Sequence, residues 1–183
     1  LGGNSDAELA YQAVVVGSGV SAMNRWTMAH ISELNLADIA AAQAGSQEAM
    51  EHVPPVIWKP LLAVYLRGEA FLRRTSSVMN MTMATAKPAD VARVFREVPR
   101  SMEQILHPKK YWNEEWRDDP IVITVTAGDL PEGWRVVSED TLGELNLALV
   151  LEPFDLRTGM DTKNPMGILS VRYTGEATAG WGG

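Results

Sequence analysis

The order of apolar and polar residues along the chain predicts a protein that is mostly helical. Ser5-Asp6-Ala7-Glu8 has the form of a capping box, in which a serine side chain caps the helix and a glutamate reaches back to it. Apolar residues then recur at helical spacing to about Ile31, which predicts one long helix over residues 5–31. Its apolar positions are Leu9, Ala13, Val16, Val20, Met23 and Trp26.

Two further helices are predicted in the first half of the chain. One starts after Asn35 and ends near Met50. The other opens at Pro54-Pro55, since proline is tolerated in the first helical turn, and Pro60 should bend it or mark its true start. A buried face is predicted for this helix from its apolar positions, which are Ile57, Leu61, Leu62, Tyr65, Leu66, Phe71 and Leu72.

Shorter helices are predicted in the second half. Residues 88–98 form one, and Ser101 caps another that Pro108 stops. Residues 141–144, Thr-Leu-Gly-Glu, form a second capping box that leads into an apolar helix ended by Pro153.

A small β element is expected between these helices. Residues 121–126, Ile-Val-Ile-Thr-Val-Thr, are rich in β-branched side chains and predict a strand, with residues 133–137 as its partner. The predicted fold class is therefore α+β, mainly helical with a small late β element. We expect one domain over residues 1–183 that is incomplete at both ends, because neither end resembles the boundary of a domain.

Composition limits the chemistry that this chain can perform. A formal net charge of −7 does not favour binding to a phosphate backbone, so nucleic acid is not an expected partner. Cysteine is absent, which excludes disulfides, thiol catalysis and thiolate metal sites. Histidine occurs only at His30, His52 and His107. No apolar run is long enough to span a membrane.

The segment Gly17-Ser18-Gly19, followed by Ala22, spells the G-x-G-x-x-A pattern of a dinucleotide-binding turn. That fingerprint requires a strand before the glycines, whereas the capping box at residues 5–8 predicts a helix there. A close crossing of two helices at small residues is the favoured interpretation, and a dinucleotide site is the distant alternative.

Two other groups of residues have both a functional and a structural interpretation. His30 and Glu33 are spaced like metal ligands, but two ligands are too few and an exposed histidine near a helix end is commoner. Residues 112–119 are acidic and aromatic, which predicts a surface loop pinned by two tryptophans, with a protein-binding loop as the alternative. A solvated ion-pair face is predicted for Glu69 and its arginine neighbours, which are Arg67, Arg73 and Arg74.

Three segments carry a family resemblance. Residues 98–111, Val-Pro-Arg-Ser-Met-Glu-Gln-Ile-Leu-His-Pro-Lys-Lys-Tyr, resemble the P-R-S-T-E-Q-[IV]-L-H-P-E-K-Y signature of a bacterial family of zincin-like zinc metallopeptidases. Residues 141–144 are similar to its T-L-G-E helix start, and residues 179–183 to its A-G-W-G-G-D segment. The order and spacing of these segments fit, and the resemblance covers roughly residues 5–183.

The resemblance implies a zinc site that this chain lacks. The family holds zinc with an H-E-x-x-H helix, which would lie upstream of Leu1, and with a third ligand on a later helix. The later helix of the family carries a motif like A-L-V-E-G-D-A-T, and residues 14–21 of this chain match that motif. In this match Gly17 stands where the family has glutamate, and Gly19 where it has aspartate. Glycine has no side chain that can bind a metal ion.

The sequence therefore predicts a metallopeptidase-like protein without peptidase activity, acting as a binding or structural module. The alternative is a fragment of an active zinc metallopeptidase whose H-E-x-x-H helix lies upstream. We assign no catalytic, cofactor-binding or metal-binding residue and no cofactor. A protein or peptide is the expected kind of partner, and the resemblance implies an extracytoplasmic location.

A structural role is predicted for residues 100–111, as a hydrogen-bonded corner that fixes the following loop. His107 precedes Pro108, so its backbone should leave the helical region and end the helix there. Its ring should then turn back to the last helix carbonyls or to Glu103. A role in a substrate cleft is the alternative for this corner.

Overall fold

The computed structural model describes residues 3–35, 37, 41, 53–75, 85–122, 128 and 131–151, and these are mainly helical. The helices are α1 (Ser5–Ala29), α2 (Pro55–Leu72), α3 (Pro88–Arg96), α4 (Met102–Leu106), α5 (Lys109–Trp112) and α6 (Gly143–Leu151). Single 3-10 turns follow α1 at Ile31–Glu33 and α5 at Glu114–Trp116.

Helix α1 runs unbroken through both of its central glycines, as predicted. Its N-cap is one residue earlier than the capping box suggests, because the side chain of Asn4 accepts a hydrogen bond from the Ala7 N–H at 2.9 Å. Ser5 instead donates its hydroxyl to the carboxylate of Asp140. The prediction of Ser5 as the cap was therefore wrong, since a distant aspartate competes for the serine hydroxyl.

Helix α2 begins at Pro55, with Pro54 as its N-cap, and contains Pro60 within its first two turns. The predicted buried face is only partly correct. Its C-terminal end is buried at Phe71 and Leu72, whereas three apolar residues of the predicted face are about half exposed: Ile57, Leu61 and Tyr65. Helical spacing identifies a stripe of apolar residues, but packing of the neighbouring helices decides which part of it is covered.

Helices α1 and α2 cross so closely that only glycine fits at the contact. A Cβ atom on Gly17 would lie 2.4 Å from the carbonyl carbon of Gly68, and a Cβ on Gly68 would lie 2.0 Å from the carbonyl oxygen of Ala13. Carbon atoms in contact are normally about 3.5–4.0 Å apart. The predicted close crossing at small residues is confirmed.

The hydrophobic core lies where α1, α2, α4 and α6 meet. The rings of Phe71, Tyr111 and Trp112 pack together at centroid distances of 4.9–5.4 Å, and the Trp112 indole N–H donates to the Phe71 carbonyl at 2.9 Å. Other core side chains are Ala10, Ala13, Val14, Val64, Leu72, Val94, Met102, Ile105 and Leu145. This core holds α5 and the loop after it against the end of α2.

The α+β fold class is wrong for the described residues, which form no sheet. Ile121 and Val122 are irregular and exposed, and residues 123–126 of the predicted strand lie outside the described residues. Residues 133–137 are also irregular, with Trp134 and Val137 largely exposed. A β-branched segment becomes a strand only where a neighbour pairs with it, and the described residues contain just one isolated bridge, between Gly3 and Asp140.

The short helices follow the sequence prediction closely. Helix α3 lies within residues 88–98, and the Ser101 hydroxyl caps α4 by accepting from the Gln104 N–H at 3.3 Å. Pro108 ends α4 and also serves as the N-cap of α5. Of the predicted helix over 36–50 only residues 37 and 41 are described, and both are helical. The residue His52, the stop at Pro153 and the segment 179–183 lie outside the described residues.

Candidate functional site

Buried acidic side chains converge where the first turn of α1 meets the N-termini of α4 and α6. We call this the acidic junction and define it by Asp6, Glu103 and Glu144, together with His107 and Lys110, the side chains that bind Glu144 and Glu103. Asp6 and Glu144 are only 2% and 1% exposed, and Glu103 is also buried. Carboxylates are rarely buried unless they are paired, so this cluster is the strongest candidate for function among the described residues.

Asp6 contacts the first residues of two other helices. One carboxylate oxygen, Oδ2, accepts a hydrogen bond from the Met102 N–H at 3.1 Å, at the start of α4. The other, Oδ1, lies against Gly143 at the start of α6 and has no hydrogen-bond partner. A Cβ on Gly143 would lie 1.9 Å from this oxygen, and Gly143 has φ +68°, so glycine is required there on both grounds.

The surroundings of Asp6 favour its protonated form. Burial is the main cause, and the nearby charges of Glu103 and Glu144 act in the same direction, while the hydrogen bond from Met102 opposes them. Together they raise the pKa of Asp6 from 3.8 to about 6.

Glu144 binds the ring of His107. The Nε2 atom of the ring lies 2.9 and 3.1 Å from the two carboxylate oxygens, and the His107 side chain is 38% exposed. His107 ends α4 with φ −118° and ψ 75°, outside the helical region, as its position before Pro108 predicts. Its partner, however, is Glu144 rather than the predicted helix carbonyls or Glu103, because α6 packs against the end of α4.

Glu103 is paired with Lys110 of α5. The Lys110 ammonium donates to Glu103 and, at 2.8 Å, to Asp118 of the following loop. Burial works to lower the pKa of Lys110, but hydrogen bonds to these two carboxylates outweigh it and raise the pKa. The positive charge of Lys110 therefore compensates the negative charge of Glu103 at one side of the junction.

The hydrogen-bonded corner predicted for residues 100–111 is present. The Gln104 side chain accepts from the Arg100 N–H at 2.8 Å and donates to the Asp118 carbonyl and to Asp119 Oδ1 at 2.8 and 2.9 Å. The Tyr111 hydroxyl donates to the Glu97 carbonyl. These bonds fix the loop after α5, which is the structural role that the sequence predicts.

The acidic junction does not have the arrangement of a metal site. Within residues 3–35, 53–75, 85–122 and 131–151, no three histidine, aspartate or glutamate side chains are placed to hold one ion. His30 stacks on Trp26 at a centroid distance of 4.4 Å, and its Nδ1 lies 2.8 Å from the Trp26 carbonyl. His30 therefore packs at the end of α1, as its structural interpretation predicts.

The glycine pattern has no dinucleotide-binding geometry. Residues 14–16 belong to α1 rather than to a strand, so the amides near Gly17 and Gly19 lie in the middle of a helix. Gly17 faces the backbone of Gly68, whereas a Cβ on Gly19 would meet nothing within 4 Å. The strand that the dinucleotide fingerprint requires before the glycines is therefore a helix in this chain.

The charged residues near the end of α2 form a buried pair instead of a solvated face. The side chains of Glu69 and Arg73 are 1% and 4% exposed, and Arg73 Nε donates to both carboxylate oxygens at 2.8 and 2.9 Å. Arg74 binds Asp90 of α3 at 2.6 Å and lies 4.4 Å from the centre of the Trp112 ring. These contacts join α2 to the core and to α3.

Only one of the two tryptophans pins the loop over residues 112–119. Trp112 packs in the core, whereas Trp116 is 63% exposed. Lys110 and Gln104 supply the other anchors through Asp118 and Asp119. The role of Asp6 was not predicted, although its place in the first turn of a helix is a signal for a carboxylate at a helix N-terminus.

None of the described helices has the length and apolar character needed to cross a lipid bilayer. Comparisons of the chain with models of protein families, with curated proteins and with solved structures find no match.

Proposed function

We propose that this chain is a zincin-like, metallopeptidase-type protein without peptidase activity that acts as a binding or structural module. The observation that carries the proposal is the surroundings of Gly17. In the metallopeptidase family that the sequence resembles, the matching position holds a glutamate that binds zinc. Here the space for any side chain is taken by the backbone of Gly68 and Glu69.

The packing around Gly17 opposes a ligand there in two ways. The residue has no metal-binding atom, and a Cβ would meet the Gly68 carbonyl carbon at 2.4 Å and the Glu69 nitrogen at 2.7 Å. A glutamate would therefore require α1 and α2 to separate. The position at which the family has its zinc ligand is here part of the contact between α1 and α2.

The exposed side chains favour a protein or peptide as the partner. Tyr11, Val15, Met23 and Trp26 are exposed on α1, and Trp116 is exposed on the loop after α5. Aromatic residues and methionine are enriched in protein interfaces. The net charge of −7 disfavours nucleic acid.

A peptidase assay tests the proposal. The purified 183-residue chain is incubated with quenched fluorescent peptides of mixed sequence, with added zinc and separately with a chelator. We expect no cleavage above the buffer control in either condition. Cleavage that depends on zinc and is lost on chelation would contradict the proposal.

The same assay addresses the alternative of an active enzyme whose zinc-binding helix lies upstream. If the gene encodes residues before Leu1, the longer product is assayed beside the 183-residue chain. Zinc-dependent cleavage by the longer product alone would favour the alternative, and inactivity of both would favour the proposal.

A further inference from the structure

Asp6 is buried at the meeting point of three helix N-termini, with one carboxylate oxygen bonded and the other without a partner. It lies in the first turn of α1, accepts from the first residue of α4 and packs against the first residue of α6. Its own backbone N–H donates to the Thr141 carbonyl at 3.0 Å. One side chain of α1 therefore contacts two segments that lie 96 and 137 residues further along the chain.

We propose that the acidic junction is a pH-responsive latch, in which protonation of Asp6 tightens the contact of α1 with α4 and α6, and ionisation loosens it. The helix N-termini and the Met102 N–H favour the carboxylate form. Burial and the charges on Glu103 and Glu144 disfavour it. Protonation leaves Oδ2 able to accept from Met102 and removes one of three neighbouring negative charges.

The charged groups that face Asp6 from α4 and α6 are Glu103 and Glu144, and both raise the pKa of Asp6. Glu103 of α4 is compensated by Lys110, which belongs to α5. Glu144 of α6 is compensated by His107 only when that ring is protonated. Protonation of Asp6 therefore removes one negative charge from beside Glu103 and Glu144, which reduces the repulsion within the junction.

The pH range follows from the pKa of Asp6. The pKa is about 6 in the folded chain against 3.8 for the free side chain, so the folded state holds the proton more tightly. The stabilising contribution of protonated Asp6 is complete below pH 3.8 and is lost as the pH rises toward 6. A difference of about two pKa units corresponds to a change of at most roughly 100-fold in an opening equilibrium.

Hydrogen–deuterium exchange measured by mass spectrometry tests the latch. Peptides covering residues 3–10 and 141–148 are followed between pH 5 and pH 7.5, with rates corrected for the intrinsic pH dependence of exchange. We expect their protection to fall by up to about tenfold over this range in the parent chain, because part of the total change lies below pH 5. In Asp6→Asn, which cannot ionise, protection of the same peptides should be nearly independent of pH.

Asp90→Asn is the matched control, because Asp90 is also buried but both of its oxygens bind Arg74. It should keep the pH dependence of the junction peptides. Glu144→Gln is a second variant in case Asp6→Asn does not fold. Since it removes a negative charge near Asp6, the midpoint of the protection change should move to lower pH.

Three results would overturn the latch. One is protection of the junction peptides that does not change with pH in the parent chain. Another is the same pH dependence in Asp6→Asn as in the parent. The third is a midpoint in Glu144→Gln that stays in place or moves to higher pH.

Discussion

Replacing Gly17 by alanine should destabilise the chain, although alanine is the better helix former. Glycine in a helix interior is disfavoured by about 1 kcal/mol relative to alanine, so the helix alone would gain that amount. The new Cβ would lie 2.4 Å from the Gly68 carbonyl carbon, about 1 Å closer than carbon atoms normally approach. Helices α1 and α2 must then separate, and the contacts between them weaken.

The cost of this separation exceeds the gain in helix propensity. Overpacking of a well-packed contact costs about 1–3 kcal/mol, and here the clash is with backbone, which cannot rotate away. With a cost at the upper end of that range, less the gain of about 1 kcal/mol, we expect Gly17→Ala to lower the free energy of unfolding by about 2 kcal/mol. That corresponds to a fall in melting temperature of roughly 4–8 °C for a chain of this size.

Gly19→Ala provides the matched control on the same helix. A Cβ at Gly19 meets nothing within 4 Å, so this variant should gain helix propensity and be stabilised by up to about 1 kcal/mol. Both variants are measured by urea unfolding at equilibrium, monitored by circular dichroism. The reasoning is refuted if Gly17→Ala is as stable as Gly19→Ala, because the close crossing of α1 and α2 would then be absent.

Two further substitutions, the first with a control at an exposed pair, test the polar contacts. Glu69→Gln should cost about 3 kcal/mol, because it removes the charge that faces the buried guanidinium of Arg73, whereas loss of an exposed pair through Glu97→Gln should cost less than about 1 kcal/mol. Equal losses in urea unfolding would contradict the burial of the first pair. His107→Ala should lower stability by about 1–2 kcal/mol at pH 6, since it leaves Glu144 buried without its partner, and an unchanged melting temperature would contradict this role.

Long periodic patterns predicted the helices well. The apolar repeat of α1 extends over seven turns, so neither Gly17 nor Gly19 obscures it, and the preference for a helix crossing over a nucleotide turn follows from it. The partner in that crossing was not predictable, because Gly68 is isolated within a different helix and nothing in the sequence pairs it with Gly17.

Features that depend on distant residues were not predictable from local patterns. Glu69 and Arg73 have the same spacing whether their helix face is exposed or buried. The packing around α2 decides whether that face is exposed or buried. Asp6 meets Met102 and Gly143 only after three helices have packed. The described residues of the predicted strands, 121–122 and 133–137, are irregular for the same reason, since β-branched residues require a partner strand.

The candidate site shows the same limit. The sequence predicted the corner over residues 100–111 as structural and placed the end of α4 correctly at His107. It did not predict the bond to Glu144, because α6 lies more than thirty residues further along the chain. The sequence thus predicted the local structure around His107, but not the distant residue that its side chain binds.

Zinc content is the most direct test of the central proposal, that the position of Gly17 serves a close helix crossing and holds no zinc ligand. The purified chain is incubated with one equivalent of zinc, dialysed against metal-free buffer and analysed by elemental mass spectrometry. We predict far less than one zinc ion per chain. About one zinc ion per chain, released by a chelator together with peptidase activity, would contradict the account.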